Sequence, residues 1–293
     1  MNPKVAFQGE PGAYSEQAAL DFFGSAVELL PRPTFDDVFD DVSAGRCDFG
    51  IVPMENSLGG SVHRNYDLLM RHSLHIIGEV IVRVQWYLYA LPGVQFADIR
   101  RVVSHWQALA QCERTLARLL PHAEREPVYD TAGSVKMLAL EERRDTAAIA
   151  GRRAGELYGV PVLREGIEDD DANYTRFVVL AREPSMQHQA LFDDQAYKTS
   201  IVFAMRNVPG ALFRALAAFA LRDIDLTKIE SRPLQGSPWE YLFYLDFVGH
   251  AQALRGQRAL SHLSEITTVL RVLGSYPRAT MPARPEAVEV IKP

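Results

Sequence analysis

Cysteine is almost absent from this chain, with Cys47 and Cys112 the only two in 293 residues. They stand far apart and neither belongs to a C-x-x-C pair, which excludes a disulfide scaffold and a thiol redox motif. They read as buried thiols of a reducing compartment. No apolar run reaches the ~18 residues of a membrane span. The opening, MNPKVAFQG, leaves no room for the charged and apolar regions of a secretory signal. A cytoplasmic location is therefore expected, with no membrane partner. Basic residues are in deficit, at a net charge of −6, so no nucleic-acid partner is expected either. HExxH, paired Cys/His spacings, a Walker loop and GxSxG are all missing, and the eight histidines are scattered. No metal and no cofactor are expected.

What is present is unevenly spread. Residues 1–197 hold 19 Lys+Arg against 29 Asp+Glu, a balance of −10, whereas residues 198–275 hold 9 against 6, a balance of +3. An acidic first part is poorly suited to steering an anion from afar, so an anionic ligand there must be held by local donors. From Lys4 to Ala181 short β-rich runs alternate with periodic segments such as Ser15–Phe23, Gln107–Leu120 and Ala132–Glu141. The runs are Val5–Phe7, Phe49–Val52, His75–Val82, Trp86–Leu91, Arg101–Ser104, Ala147–Ala150 and Phe177–Leu180. This alternation predicts an α/β unit with a largely parallel sheet. The pattern dissolves over 184–197, which reads as a linker. Beyond it, strand Thr199–Met205 precedes an amphipathic helix with Leu212, Leu216, Phe219 and Ala220 at i, i+4, i+7 and i+8. Strands Asp225–Ser231 and Tyr241–Val248, a helix over Ala251–Ile266 and strand Thr268–Leu273 complete βαββαβ, a ferredoxin-like unit over 198–276. Residues 277–293 carry four prolines and read as a disordered tail.

Four segments place polar residues and glycines where strands give way to turns. FQGEPGAYSEQAA (Phe7–Ala19) runs from a strand through glycines into a helix starting near Tyr14 and Ser15. In VPMENSLGGSV (Val52–Val62), Asn56 and Ser57 suit a turn cap, and Gly59, Gly60 and Ser61 free backbone N–H groups at the carboxyl end of a strand. NYTRF (Asn173–Phe177) leads from an acidic run into a strand and presents a hydroxyl, Thr175, at the sheet entrance. Strand alternation puts Thr175 and Phe177 on one face and Arg176 on the other. In the C-terminal unit, NVPGAL (Asn207–Leu212) precedes KIESRP (Lys228–Pro233). Two further helix starts offer donors: Ser104 and Gln107 in SHWQALAQC, and Thr131, Ala132 and Ser134 in DTAGSVKML. Lys136, the one lysine between Lys4 and Lys198, is a candidate carboxylate partner set against a plain surface role.

In this order and spacing the four segments resemble prephenate dehydratase, over roughly Val5–Tyr276. The wording around Ile76 and His63–Leu69 also resembles the arogenate dehydratases. The resemblance implies a two-lobed catalytic domain over 1–183, built like a type II periplasmic binding protein. Its crossovers fall near 79–84 and 174–178, and an ACT domain follows it. The implied reaction removes CO2 and the ring hydroxyl from prephenate to give phenylpyruvate, a carbon–oxygen lyase step of L-phenylalanine biosynthesis. Arogenate is the alternative substrate. Thr175 matches the family's catalytic threonine, with Glu55, Asn56 and Ser57 beside it. Glu55 is open between orienting Thr175 and binding the ring hydroxyl. Gly59, Gly60, Ser61, Ser104, Gln107, Thr131, Ala132, Asn173, Arg176 and Phe177 are expected to hold substrate. Arg176 stands evenly between anion binder and structural ion pair. Asn207, Pro209, Gly210, Ala211 and Leu212, with Glu230, Ser231, Arg232 and Pro233, are expected to bind L-phenylalanine as an inhibitor across a homodimer or homotetramer interface. Trp106 stands where the family has proline, which puts a large ring near the cleft. No chorismate mutase segment is expected ahead of Phe7. On the pattern alone, a non-catalytic amino-acid sensor with the same two folds stays open.

Overall fold

The computed structural model describes residues 2–184, 196–233 and 241–282, so most of the expected linker and of the expected tail lies outside it. The chain begins with β1 (Lys4–Gln8), α1 (Tyr14–Phe23), β2 (Glu28–Arg32), α2 (Phe35–Ser43), β3 (Phe49–Asn56), β4 (Gly60–Ser61), α3 (His63–Arg71) and β5 (His75–Arg83), which form lobe one. Lobe two follows: β6 (Tyr87–Tyr89), β7 (Arg101–Ser104), α4 (Trp106–Gln111), α5 (Glu113–Leu119), β8 (Glu124–Pro127), α6 (Thr131–Glu141), β9 (Thr146–Ala150), α7 (Arg152–Tyr158) and β10 (Val162–Glu165). β11 (Tyr174–Ala181) then returns to lobe one. The C-terminal unit is β12 (Tyr197–Met205), α8 (Ala211–Ala220), β13 (Leu226–Pro233), β14 (Tyr241–Val248), α9 (Leu254–Ile266) and β15 (Val269–Pro277), the expected βαββαβ order.

The largely parallel sheet expected from the alternation is corrected. β2, β1 and β3 run parallel, but β11 lies antiparallel between β3 and β5. The reason is the path of the chain. β5 carries it out of lobe one and β11 carries it back, so the two neighbours must oppose each other. The lobe-two sheet, β10-β6-β9-β7-β8, is mixed for the same reason: β6 is antiparallel to both its neighbours and only β9, β7 and β8 are parallel. The two crossing segments are held together by Val84 N–H donating to Asn173 O (2.8 Å) and Ile167 N–H donating to Trp86 O (3.1 Å).

The C-terminal unit is a four-stranded antiparallel sheet, β13-β14-β12-β15. One of its faces carries α8 and α9 over a core of its own, including Phe203, Phe219 and Phe247. The other face lies on lobe one. Val202, Leu242, Tyr244, Leu273 and Tyr276 form one continuous core with Phe39, Tyr66, Leu69, Ile76 and Val178. The approach is close enough to require glycine: a Cβ on Gly274 of β15 would sit 1.9 Å from the Ile76 carbonyl oxygen. Pro277, expected to open a disordered tail, instead closes β15, and residues 283–293 of that expected tail lie outside the described residues. The Ala279 N–H then donates to Glu79 Oε1 (3.0 Å). Among the described residues no helix is long and apolar enough to cross a membrane.

Candidate active site

A cleft of about 430 Å³ opens between the lobes, walled by the ends of elements rather than their middles. Its centre is Asn56, at the end of β3. The Asn56 amide Nδ2 donates to Asn173 Oδ1 (2.7 Å), Thr175 Oγ1 (3.0 Å) and Tyr174 O (3.2 Å). Its Oδ1 accepts from the N–H groups of Leu58 (3.1 Å) and Gly59 (2.7 Å). Asn173 extends the row by donating to Gln111 Oε1 (2.9 Å), which also accepts the Trp86 indole N–H (2.8 Å).

This row has a direction. Indole and backbone N–H groups only donate. Gln111 must therefore turn its oxygen to Trp86, and Asn173 must turn its NH2 to Gln111 and its oxygen to Asn56. Asn56 is fixed from both ends, with its oxygen on the backbone donors and its NH2 on Thr175. Such networks settle the orientation of amides. The Thr175 hydroxyl is thereby an acceptor from Asn56, and its own proton is left for the cleft.

Among the described residues no lysine or arginine lines the cleft. It has one carboxyl, Asp130, whose Oδ1 caps α6 by accepting the Gly133 N–H (2.7 Å). Burial pushes that carboxyl up, against the Gly133 hydrogen bond and with help from the Glu10 charge. Burial likewise holds the His105 imidazole below its ordinary value, hence neutral at pH 7. An anion here meets neutral donors and helix starts. The lobes are tied around it: Glu10 of lobe one accepts from Lys136 (2.8 Å) and from the Tyr129 hydroxyl (2.9 Å) of lobe two. Lys136 is thus an interlobe partner and not a cleft cation.

Asn56, Gly59, Gly60, Ser61, Gln107, Thr131, Thr175 and Phe177 line the cleft as the sequence suggests. Asn173 is fully buried behind Asn56. Ser57 closes its turn, donating to Ala172 O (2.7 Å) and accepting the Tyr174 N–H (2.9 Å). Ser104 is buried and donates to Ile149 O (2.6 Å), and Ala132 belongs to the lobe-two core. Glu55 and Arg176 are corrections. The alternation that turns Asn56 and Thr175 into the cleft turns their neighbours onto the C-terminal unit. Glu55 pairs with Lys228 (2.9 Å). Arg176 pairs with Glu79 (2.6 Å) and Asp246 (2.8 Å) and donates to the Tyr276 hydroxyl (2.8 Å), so it is a structural ion pair. Trp106 is 61% exposed and outside the cleft, and the tryptophan that lines it is Trp86.

In the C-terminal unit, Asn207, Gly210, Ala211 and Leu212 line a hollow of about 220 Å³ with Tyr241 and Phe243, and Pro209 adjoins them in the chain. Glu230 and Arg232 face lobe one instead, accepting from Ser61 Oγ (2.8 Å) and pairing with Asp67 (3.2 Å). Ser231 and Pro233 are exposed on the opposite face of β13. None of Glu230, Ser231, Arg232 and Pro233 lines that hollow. Sequence reasoning missed Gln111, one helical turn beyond Gln107 on α4, a spacing that was readable. Trp86 reads in the sequence only as the first residue of the run Trp86–Leu91 and lies just ahead of β6, and Tyr129 sits in a connecting segment that carries no pattern. Among the described residues no group of three or more His, Cys, Asp or Glu is placed to hold a metal ion.

Comparison with known proteins divides the chain in the same way. A family model described as prephenate dehydratase matches residues 5–185, and one described as ACT domain matches residues 199–261. Arogenate dehydratase 1 of Petunia hybrida is 49% identical over 300 residues, covering 98% of this chain and 69% of its own length. Three Arabidopsis thaliana relatives, 48–50% identical over 94–97% of this chain and 67–72% of their own, are named arogenate dehydratase, two of them also prephenate dehydratase. The structure of a prephenate dehydratase from Arthrobacter aurescens in complex with L-Phe superimposes with a TM-score of 0.86 at 34% identity, over 94% of this chain and 90% of its own. One described as GqqA, a novel type of quorum quenching acylase, does so with a TM-score of 0.84 at 35% identity, over 94% and 97%. The cytoplasmic location expected from the sequence is overturned by these relatives, since all three Arabidopsis proteins are named chloroplastic.

Proposed function

The chain belongs to the prephenate dehydratase family, and we propose that it is a carbon–oxygen lyase acting on prephenate or on its amino-acid counterpart, arogenate. The observation that carries this reading is the directed row of amides ending on Thr175. In the reaction the ring carboxylate leaves as CO2 and its bonding pair enters the ring. The ring C–O pair leaves with the hydroxyl oxygen. Aromaticity supplies the driving force, so the enzyme must add one proton for the departing hydroxide and a fixed geometry. Thr175 gives that proton. The Asn56 N–H already directed at its Oγ1 stabilises the negative charge that grows there as the proton leaves. Phe177, almost fully buried, and Trp86 wall the ring. The Gln107 amide and the Thr131 hydroxyl at the start of α6, both lining the cleft, receive carboxylates.

An acylase would need a base to take the proton from its nucleophile. Thr175 Oγ1 meets an amide donor instead, and among the described residues no base is bonded to it. Elimination is the chemistry this arrangement favours.

The ACT domain supports control by L-phenylalanine, as does the L-Phe bound to the Arthrobacter aurescens structure. The effector site is the hollow at Asn207–Leu212, completed by Ser231 and its neighbours from a second copy. That makes the protein a homodimer or homotetramer. Exposed Val208, Phe213 and Leu221 around α8, and the free edge of β13, supply a surface for such pairing. The test is one ultraviolet assay of product formation with prephenate and with arogenate, each with and without L-phenylalanine. Turnover of neither substrate by folded protein would overturn the lyase reading.

A further inference from the structure

Behind the catalytic cleft, on the far side of Tyr14, lies a second hollow of about 160 Å³. Its character is the opposite of the cleft's. Three guanidinium groups face it: Arg83 at the end of β5, and Arg152 and Arg153 at the start of α7. Two of them are engaged. Arg153 pairs with the buried Glu16 carboxylate at 2.5 Å. Arg152 lies over the Tyr87 ring at 4.9 Å and reaches Glu165 at 3.4 Å. Among the described residues no ion pair holds Arg83, and its Nε is shielded from solvent with no hydrogen-bond acceptor. The side chain as a whole is half-buried, but an N–H shielded from water without an acceptor is costly, and proteins normally pair such groups. A first part of the chain that carries −10 overall thus gathers three cations around one hollow and, among the described residues, leaves an N–H of one of them without an acceptor.

We propose that this hollow binds a small oxyanion, a carboxylate or a phosphate, held by the fork of Arg83 and by Arg152. Guanidinium suits both classes because its parallel N–H groups match two oxygens at once. The position gives the site a consequence. Arg83 belongs to lobe one and the other two arginines to lobe two, so a bound anion bridges the lobes. Tyr14 forms the wall between hollow and cleft. Its hydroxyl accepts from Gln85 N–H (2.8 Å) and donates to Gln85 O, and its ring meets Trp86 edge-on at 5.5 Å. An anion at Arg83 therefore bears on the ring that shapes the cleft.

The test is thermal unfolding and titration calorimetry of the full chain with sodium phosphate and, separately, sodium acetate, each against sodium chloride of matched ionic strength. The expected result is saturable stabilisation by at least one anion. It is weakened about tenfold or more in Arg83→Met, where the fork is lost. It is kept in Thr175→Ala, which alters the cleft, and in Arg255→Met, which removes a charge elsewhere. A stronger response to phosphate assigns that class, and a stronger response to acetate assigns the carboxylate class. If Arg83→Met does not fold, Arg83→Lys keeps the charge without the fork and should bind more weakly. No stabilisation beyond matched chloride, or unchanged affinity in the Arg83 variants, overturns the site.

Discussion

Thr175→Val removes one oxygen from the site and keeps its shape. Asn56 Nδ2 loses one of three acceptors but retains Asn173 Oδ1 at 2.7 Å and Tyr174 O at 3.2 Å, so no buried donor is orphaned. Valine is at home in β11. The stability cost is that of one ordinary hydrogen bond, about 0.5–1.5 kcal/mol. The cost to the reaction is far larger. A positioned proton donor contributes ~10²–10⁴-fold, or about 2.7–5.5 kcal/mol of barrier at ~1.36 kcal/mol per decade. The expected outcome is a kcat at least about a hundredfold lower, with KM and the urea midpoint nearly unmoved. Thr175→Ser should recover part of the rate, because its Oγ can still accept from Asn56. Steady-state kinetics and equilibrium unfolding on the same preparations separate the two costs. A variant that keeps kcat within about tenfold of the parent, or whose lost rate simply follows lost stability, refutes the role given to Thr175.

The ion pairs behind the site make stability depend on acid. Burial alone would raise the Glu79 carboxyl, but Arg176 and Lys198 outweigh it and hold it below its ordinary 4.5. A carboxyl lowered by folding stabilises above its unfolded pKa, and the contribution is lost as pH falls through the folded value. Urea midpoints should therefore drop as pH falls below about 4.5, and Glu79→Gln should flatten that limb while lowering stability at neutral pH. Asp130→Asn keeps the cap on α6, since asparagine caps as well as aspartate. It removes the one cleft carboxylate able to receive an ammonium group, so KM for arogenate should rise more than KM for prephenate. Gly210 caps α8 at φ +76°, where a β-branched residue is strained. Gly210→Val should abolish the heat of L-phenylalanine binding while leaving turnover without effector intact.

Much of this was legible from residue order. The hydroxyl at Thr175, the Asn56–Ser61 turn and the βαββαβ unit follow from local patterns, and the structure places them as read. Alternation in NYTRF correctly separated Thr175 and Phe177 from Arg176. What failed was whatever depends on a partner distant in sequence. Glu55 looked like a cleft residue because it neighbours Asn56, yet its partner is Lys228, 173 positions away. The sheet looked parallel because strands alternate with helices, and nothing local tells that β11 is a returning strand. Strands β2, β8 and β10 were missed, being short edge strands whose exposed residues give no clean period. The core shared by lobe one and the C-terminal unit was also invisible, since each half patterns like an ordinary buried face.

That shared core bears on how an ACT domain speaks to the cleft. β13 turns alternate residues inward: Lys228 to Glu55, Glu230 to Ser61 and Arg232 to Asp67. Glu55 and Ser61 flank Asn56 and the glycine turn on either side. Arg176, next to Thr175, is held by Asp246 of β14 and Tyr276 of β15. The C-terminal unit thus grips from behind both strands whose front faces present Thr175 and Asn56. The outward residues of the same β13, Ile229 and Ser231, are exposed. Because inward and outward side chains share one backbone, a ligand on the outer face reaches the inner one only by moving the strand. The inner contacts respond to such a move: the Lys228 side chain, 11% exposed, loses the Glu55 carboxylate at 2.9 Å and keeps only Glu230 of its own strand at 3.8 Å. Control by an effector then requires two strand positions that differ in affinity for it. Linkage fixes the converse: substrate must weaken effector binding by the factor by which effector weakens substrate.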